Sequence, residues 1–116
     1  MSKNVIFLGW NRPIPGREKE SAGHFQEIMA LVIQFQQEGT IDSFEPVLLT
    51  AHGGDLNGFV LIRGEISKLQ ELKSTEAWRT HITRAILHTE GFGVIDGVTG
   101  EGVSEQMELW TSLIPD

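Results

Sequence analysis

Apolar and polar positions along this chain follow two different rhythms, and the places where the rhythm changes mark the elements. Residues 4–10, NVIFLGW, are rich in β-branched and aromatic side chains and predict a strand. Pro13, Pro15 and Gly16 terminate it, and Glu18 and Glu20 follow where the positive end of a helix favours acidic side chains. Ala22, Phe25, Met29, Val32 and Gln36 then recur at helical spacing, with Ile28, Ile33 and Phe35 broadening the stripe, and Gly39 is placed to end the helix. Residues 41–50 predict a second strand, which Pro46 demotes to an edge or a bulge because proline donates nothing to a ladder. A loop, AHGGDLN, leads to a third strand over 58–65, antiparallel to the second. Ser67 with Gln70 gives a capping-box start to another helix. A break at residues 73–75 lets Ser74 or Thr75 cap a longer helix running through His88. Residues 91–99 predict a fourth strand, and Val103, Met107, Trp110 and Ile114 lie on one face of a short terminal helix.

The order β-α-β-β-α-β plus a helix predicts an α+β, ferredoxin-like fold, a four-stranded antiparallel sheet with both main helices on one face. Residues 1–116 are read as one domain. The first strand, however, is apolar on both faces, with Val5 and Phe7 opposing Ile6, Leu8 and Trp10. The third repeats this, with Phe59 and Leu61 opposing Val60 and Ile62. A sheet with one wet face alternates apolar with polar residues. Helices on one side leave the other apolar face uncovered; the terminal helix could pack on part of it and a second copy on all of it, and a homodimer is expected.

Composition narrows the partners. Sixteen acidic against nine basic residues give a net charge of −7, which argues against nonspecific binding to nucleic acid or to an anionic membrane. There is no cysteine, hence no disulfide and no thiolate chemistry. VIFLGW is too short for a signal peptide, and no apolar run reaches the roughly 20 residues that span a bilayer. A soluble, cytoplasmic protein is expected.

RPIPGREKESAGHF is similar to the Pro-Gly turn that runs from strand 1 into helix 1 in the dimeric α/β-barrel superfamily, the ferredoxin-like proteins that include antibiotic-biosynthesis monooxygenases. LKSTEAWRTHI resembles the serine-containing break and aromatic-histidine segment of that superfamily's second helix. Together with the strand order, the resemblance covers residues 4–98 and leaves the terminal helix outside. EPVLLTAHGGDLNGFVLIRG and GFGVIDGVTGEGV look like an uncharacterised bacterial group within it. The resemblance implies a small, mostly apolar pocket between sheet and helices. It also implies chemistry without a cofactor, such as oxygenation or isomerisation of a small organic molecule. The alternative from another class is a non-catalytic dimer that binds a metabolite or has a merely packed core.

The candidate site residues follow from position. Asn11 and Arg12 stand at a strand end, where sites often sit. WNRP also resembles the strand-1 end of haem-degrading members, whose asparagine faces the pocket; the plainer reading has Asn11 supporting the turn and Arg12 in water. His81, Arg84 and His88 lie along one side of the second main helix, beside Trp78, Ile82, Ala85 and Ile86. His81 is the expected general base, and Trp10, Asn11, Arg12, Trp78 and His52 the expected ligand contacts; the plainer reading makes His81 and His88 an amphipathic flank and Trp78 part of the core. His81 and His88 stand about 10.5 Å apart along a helix, too far to share one metal ion, and no metal site is expected. Trp78 and His88 reproduce the interval between tryptophan and iron-ligating histidine in haem-degrading relatives. Aligning the KST break with the relatives' serine moves Trp78 out of that register, so haem degradation is not expected. HGGDLNG leads into a strand, so it is a hairpin loop and no phosphate cradle. Asp96 is a candidate inward carboxylate, with Arg63 its conceivable partner.

Overall fold

The computed structural model describes residues 2–116. In chain order its elements are β1 (Asn4–Trp10), β2 (Arg12–Pro13), α1 (Glu18–Gln37), β3 (Ser43–Leu48), β4 (Gly58–Gly64), α2 (Ile66–Lys73), α3 (Glu76–His88), β5 (Thr89–Glu90), β6 (Gly93–Val98) and α4 (Glu101–Ser112). The main sheet runs β3-β4-β1-β6 with every neighbour antiparallel. This is the expected α+β, ferredoxin-like arrangement, with β1 inside the sheet and Pro46 on the edge strand β3. β2 and β5 form a separate two-residue pair that no strand pattern announced.

Period-two alternation divides β1 and β4 between two faces. Ile6 lies opposite Ile62, and Leu8 opposite Val60. These four pack with Val32 and Phe35 of α1, Leu69 and Leu72 of α2 and Trp78 of α3 into one buried core. Each such side chain contributes about 1.5–3 kcal/mol by leaving water. On the other face Phe7 stacks on Phe59 at 5.0 Å and 26° between ring planes. Phe7, Phe59 and Leu61 there stay half-buried, and Ile95 is exposed.

The helix ends follow local chemistry. Gly39 adopts φ 78°, which an L side chain resists, and its N–H caps the Gln36 carbonyl at 3.1 Å, ending α1 as expected. The break between α2 and α3 is capped by Thr75, whose Oγ1 accepts from the Trp78 N–H at 3.2 Å. At the start of α2 the cap is Glu65 rather than Ser67, because the Glu65 carboxylate reaches the Lys68 N–H at 3.3 Å. Asp96 pairs with Lys73 at 2.8 Å instead of Arg63, which lies 3.7 Å from Glu45. Asp96 shares the inner side of β6 with Val94, but it is exposed and salt-bridged to α2, so no buried carboxylate arises there.

α4 departs from its expected role. Val103, Met107 and Trp110, the stripe that periodicity marks for packing, are about half exposed, at 46%, 50% and 59%. The helix is tied to β1 through Lys3, which pairs with Glu105 at 2.6 Å. Gly102 presses so close to the Lys3 carbonyl that a Cβ would come within 2.8 Å of it. The radius of gyration is 16.0 Å, against about 13 Å for a compact chain of this length. α4 is an arm.

Candidate functional site

The stretch WNRPIPG fastens the end of α3. β2 pairs with β5 through Arg12–Glu90 and Pro13–Thr89, and the N–H groups of Asn11 and Ile14 donate to the carbonyls of Glu90 and His88 at 2.9 and 2.8 Å. Arg17 donates to the Leu87 carbonyl at 2.6 Å, satisfying one of the orphan acceptors of a helix end. His88, the last residue of α3, is thereby fixed against the start of α1.

Beside it opens a cavity of about 320 Å³ between the inner face of the sheet and the two long helices. Its wall is mainly apolar, with Leu8, Trp10 and Val60 from the sheet and Phe25, Ile28 and Met29 from α1. Trp10 can lie flat there because its cross-strand neighbour is Gly58, where a Cβ would come within 2.6 Å of the indole. Phe25 meets the Trp10 ring edge-on at 5.7 Å. The polar side chains on the wall are Glu18, Ser21, His88 and Thr89.

Three of these form one cluster. Ser21 Oγ lies 2.6 Å and Thr89 Oγ1 2.8 Å from His88 Nδ1, and Ser21 also reaches the His88 carbonyl at 3.2 Å. Behind the cavity wall, His88 Nε2 lies 2.7 Å from His24 Nδ1, and His24 Nε2 lies 3.0 Å from His81 Nδ1. The His24 ring stands edge-on to that of His88 and nearly parallel to that of His81, at 82° and 19°. His24 is 1% exposed, whereas His81 is half-buried at the surface. Helical geometry builds this chain: His81 and His88 are seven residues apart, two turns along one face of α3, and His24 of α1 fits between them.

Burial pushes the His24 pKa down to about 4, and positive charge at Arg84, His88 and His81 pushes the same way against Glu27. His24 is therefore neutral near pH 7. Arg84 is held beside the chain by a bidentate bond to Glu27, both contacts at 2.9 Å, which also lowers the Glu27 pKa. His24 directs its two nitrogens to different partners, so the three rings do not converge on one point. Among the described residues no group of three histidines, cysteines or carboxylates is arranged to hold a metal ion.

Of the residues that the sequence nominated, Trp10 lines the cavity. His81 belongs to the histidine chain but stands at its outer end, away from the cavity wall. Asn11 accepts a bond from the Asn57 amide at 2.6 Å and so supports the turn. Arg12 is exposed and pairs with Glu90 at 3.0 Å. Trp78 is buried in the core, and His52 sits exposed in its loop, with its ring 2.9 Å from the Thr50 carbonyl. Asn11 and His81 thus do not share the cavity. His24 and Ser21 lie outside the apolar stripe that marks α1 in the sequence. The available signal was spacing, since Ser21, His24 and Ile28 lie on one helical face at i, i+3 and i+7.

No protein-family model matches the chain, and no characterised protein matches it by sequence. Solved structures do match. A Bacillus halodurans member of the ethyl tert-butyl ether D (EthD) family superposes with a TM-score of 0.63 at 9% identity, over 84% of this chain and 99% of that one. A dimeric protein of unknown function and ferredoxin-like fold from Bacteroides fragilis gives 0.60 at 9% identity, over 83% and 96%. SnoaB, a cofactor-independent oxygenase from Streptomyces nogalater, gives 0.52 at 16% identity, over 85% and 93%. At such identities likeness speaks for architecture: this chain has the ferredoxin-like α+β fold that these proteins share.

Proposed function

We propose that the protein binds a small, largely apolar organic molecule in the cavity beside Trp10 and Phe25, and carries out acid–base chemistry on it without a cofactor. The observation that carries this reading is one hydrogen-bonded polar cluster, Ser21–His88–Thr89, set into a wall whose other residues are apolar apart from Glu18. An apolar pocket with a few convergent polar groups is the usual form of a small-molecule site. Histidine offers both a proton donor and an acceptor nitrogen, which suits acid–base transfer to a bound molecule. SnoaB, of the same fold, is a cofactor-independent oxygenase, and proton abstraction from a bound organic molecule is a step that oxygenation and isomerisation share. Both His88 nitrogens are engaged within the protein, so a bound molecule meets the ring through the Ser21 and Thr89 hydroxyls.

The test is a thermal-shift screen with small phenols and cyclic ketones. A ligand at 100 times its Kd stabilises by about 2.7 kcal/mol, a readily measured rise in Tm. Met29→Trp, which fills the cavity without touching the polar cluster, should weaken a hit at least about tenfold. His88→Gln should keep binding and lose turnover. Hits that bind equally well to the filled variant would overturn the reading.

We further infer a homodimer that covers the outer sheet face. Its support is the half-exposed Phe7, Phe59 and Leu61 with exposed Ile95, together with the dimeric state of the Bacteroides fragilis protein.

A further inference from the structure

His24 is a fully buried histidine that does not line the cavity. Its two nitrogens join a ring at the cavity wall to a ring at the surface. Hydrogen-bond counting restricts the three neutral imidazoles to two arrangements, since each contact needs one N–H and one lone pair. In the first, every ring carries its proton on Nε2. His88 donates to His24, His24 donates to His81, His81 donates to water, and His88 Nδ1 accepts from Ser21 or Thr89. In the second, every ring carries its proton on Nδ1. His81 donates to His24, His24 donates to His88, and His88 donates to Ser21 or Thr89, while the Ser21 hydroxyl donates to the His88 carbonyl, 3.2 Å away. Both arrangements satisfy every buried contact.

We propose that His88, His24 and His81 form a proton relay that connects the cavity to bulk water through the body of the protein. This rests on the reading of the cavity as an acid–base site. Passing from the first arrangement to the second, Ser21 Oγ gives its hydroxyl proton to His88 Nδ1 and takes one from the bound molecule, and His88 Nε2 gives one to His24 Nδ1. His24 Nε2 gives one to His81 Nδ1, and His81 Nε2 gives one to water. One proton is exported, no ring ends charged, and the reverse passage imports one. An apolar ligand filling the cavity shuts out water there, and the relay supplies the route that remains. Groups facing His24 are Arg84, His81 and His88 from α3 and Glu27 from its own helix. The ion pair between Arg84 and Glu27 keeps their charges close to cancelling. Burial holds His24 neutral, so it passes a proton in concert rather than storing one. His24 and His81 are positioning and conducting residues; His88 and Ser21 meet the ligand.

Ring-nitrogen NMR on ligand-free protein with 15N-labelled histidine tests this at pH 7.5. Expected are equal tautomer fractions at the three rings, with scalar couplings across the two nitrogen–nitrogen hydrogen bonds. His81→Phe, at the half-buried surface end, should shift the tautomer fraction of His88. His24→Phe should make His81 and His88 independent. Where His24→Phe fails to fold, His81→Phe alone decides. Unequal tautomers among the three rings, or a His88 tautomer that ignores His81→Phe, would overturn the relay. Neither result touches ligand binding, so the relay and the cavity reading fail separately.

Discussion

On the inner side of the central sheet, Ile6, Leu8, Val60 and Ile62 are each 1% exposed or less; on the outer side, Phe7, Phe59 and Leu61 stay half-buried and Ile95 is 58% exposed. The side chains are chemically alike and alternate along the same strands. What differs is what lies above them: three helices on one side, while on the other, among the described residues, Val5 is the one large apolar side chain that is buried. Strand hydrophobicity therefore states that both faces are to be covered, and the fold shows which of them this chain covers alone.

That contrast can be broken by substitution. Ile6→Ala, at the centre of the inner face, should cost about 2–5 kcal/mol, read from urea unfolding and independent of protein concentration. Leu61→Lys, on the outer face, should leave the monomer's stability within about 1 kcal/mol of its own unfolding baseline but halve the mass seen by light scattering. A monomeric wild-type protein would refute the dimer. A destabilisation by Leu61→Lys as large as that of Ile6→Ala, and independent of concentration, would show that the outer face is finished within the chain.

A second measurement sharpens the same contrast through pH, because the inner side also shelters His24. Its pKa is about 4 in the folded protein against about 6.5 when unfolded, so between these values the unfolded state holds the extra proton. Stability from the neutral ring is complete above about pH 6.5 and is lost as the pH falls toward 4, by an amount on the order of 3 kcal/mol. Denaturant midpoints measured from pH 7.5 to 4 should show this slope in the wild type and a flatter one in His24→Leu. Equal slopes in both would remove the buried ring as the cause.

The smallest effects are expected where side chains meet water. Arg12→Ala and His52→Ala should each change stability by no more than about 0.5 kcal/mol. Either substitution should also leave ligand binding in the cavity unchanged, as read in the thermal-shift screen. A tenfold loss of binding on removing His52 would return its loop to the site.

The architecture was legible because it is written in period and punctuation. The break at Thr75, the stop at Gly39 and the edge position of Pro46 each rest on backbone chemistry local to a few residues. The candidate site was legible only in part. Trp10 announced itself as a large apolar residue at a strand end, and His81 and His88 by sharing a helical face. What joins them lies 57 and 64 residues away in sequence, at His24, and no local rule connects residues at that distance. Asn11 and Arg12 misled because a polar pair at a strand end serves equally to fasten a neighbouring helix, and here it does. The stripe on α4 misled for another reason. Helical periodicity reports that a face is apolar, and it is silent about whether the same chain provides the surface that receives it.

The chain of rings has a mechanical side as well. Packed apolar helices slide past one another at small cost, since a shear of one residue exchanges one set of methyl contacts for another. His24 stands between two rings that are separated by two full turns of α3, bonded to both. Displacing α1 by a single residue, about 1.5 Å along its axis, would strain both bonds at once and strand buried nitrogens without partners. The ring acts as a dowel pin between two rods. Any widening of the cavity that keeps both bonds must therefore come from a movement other than sliding of α1 along α3.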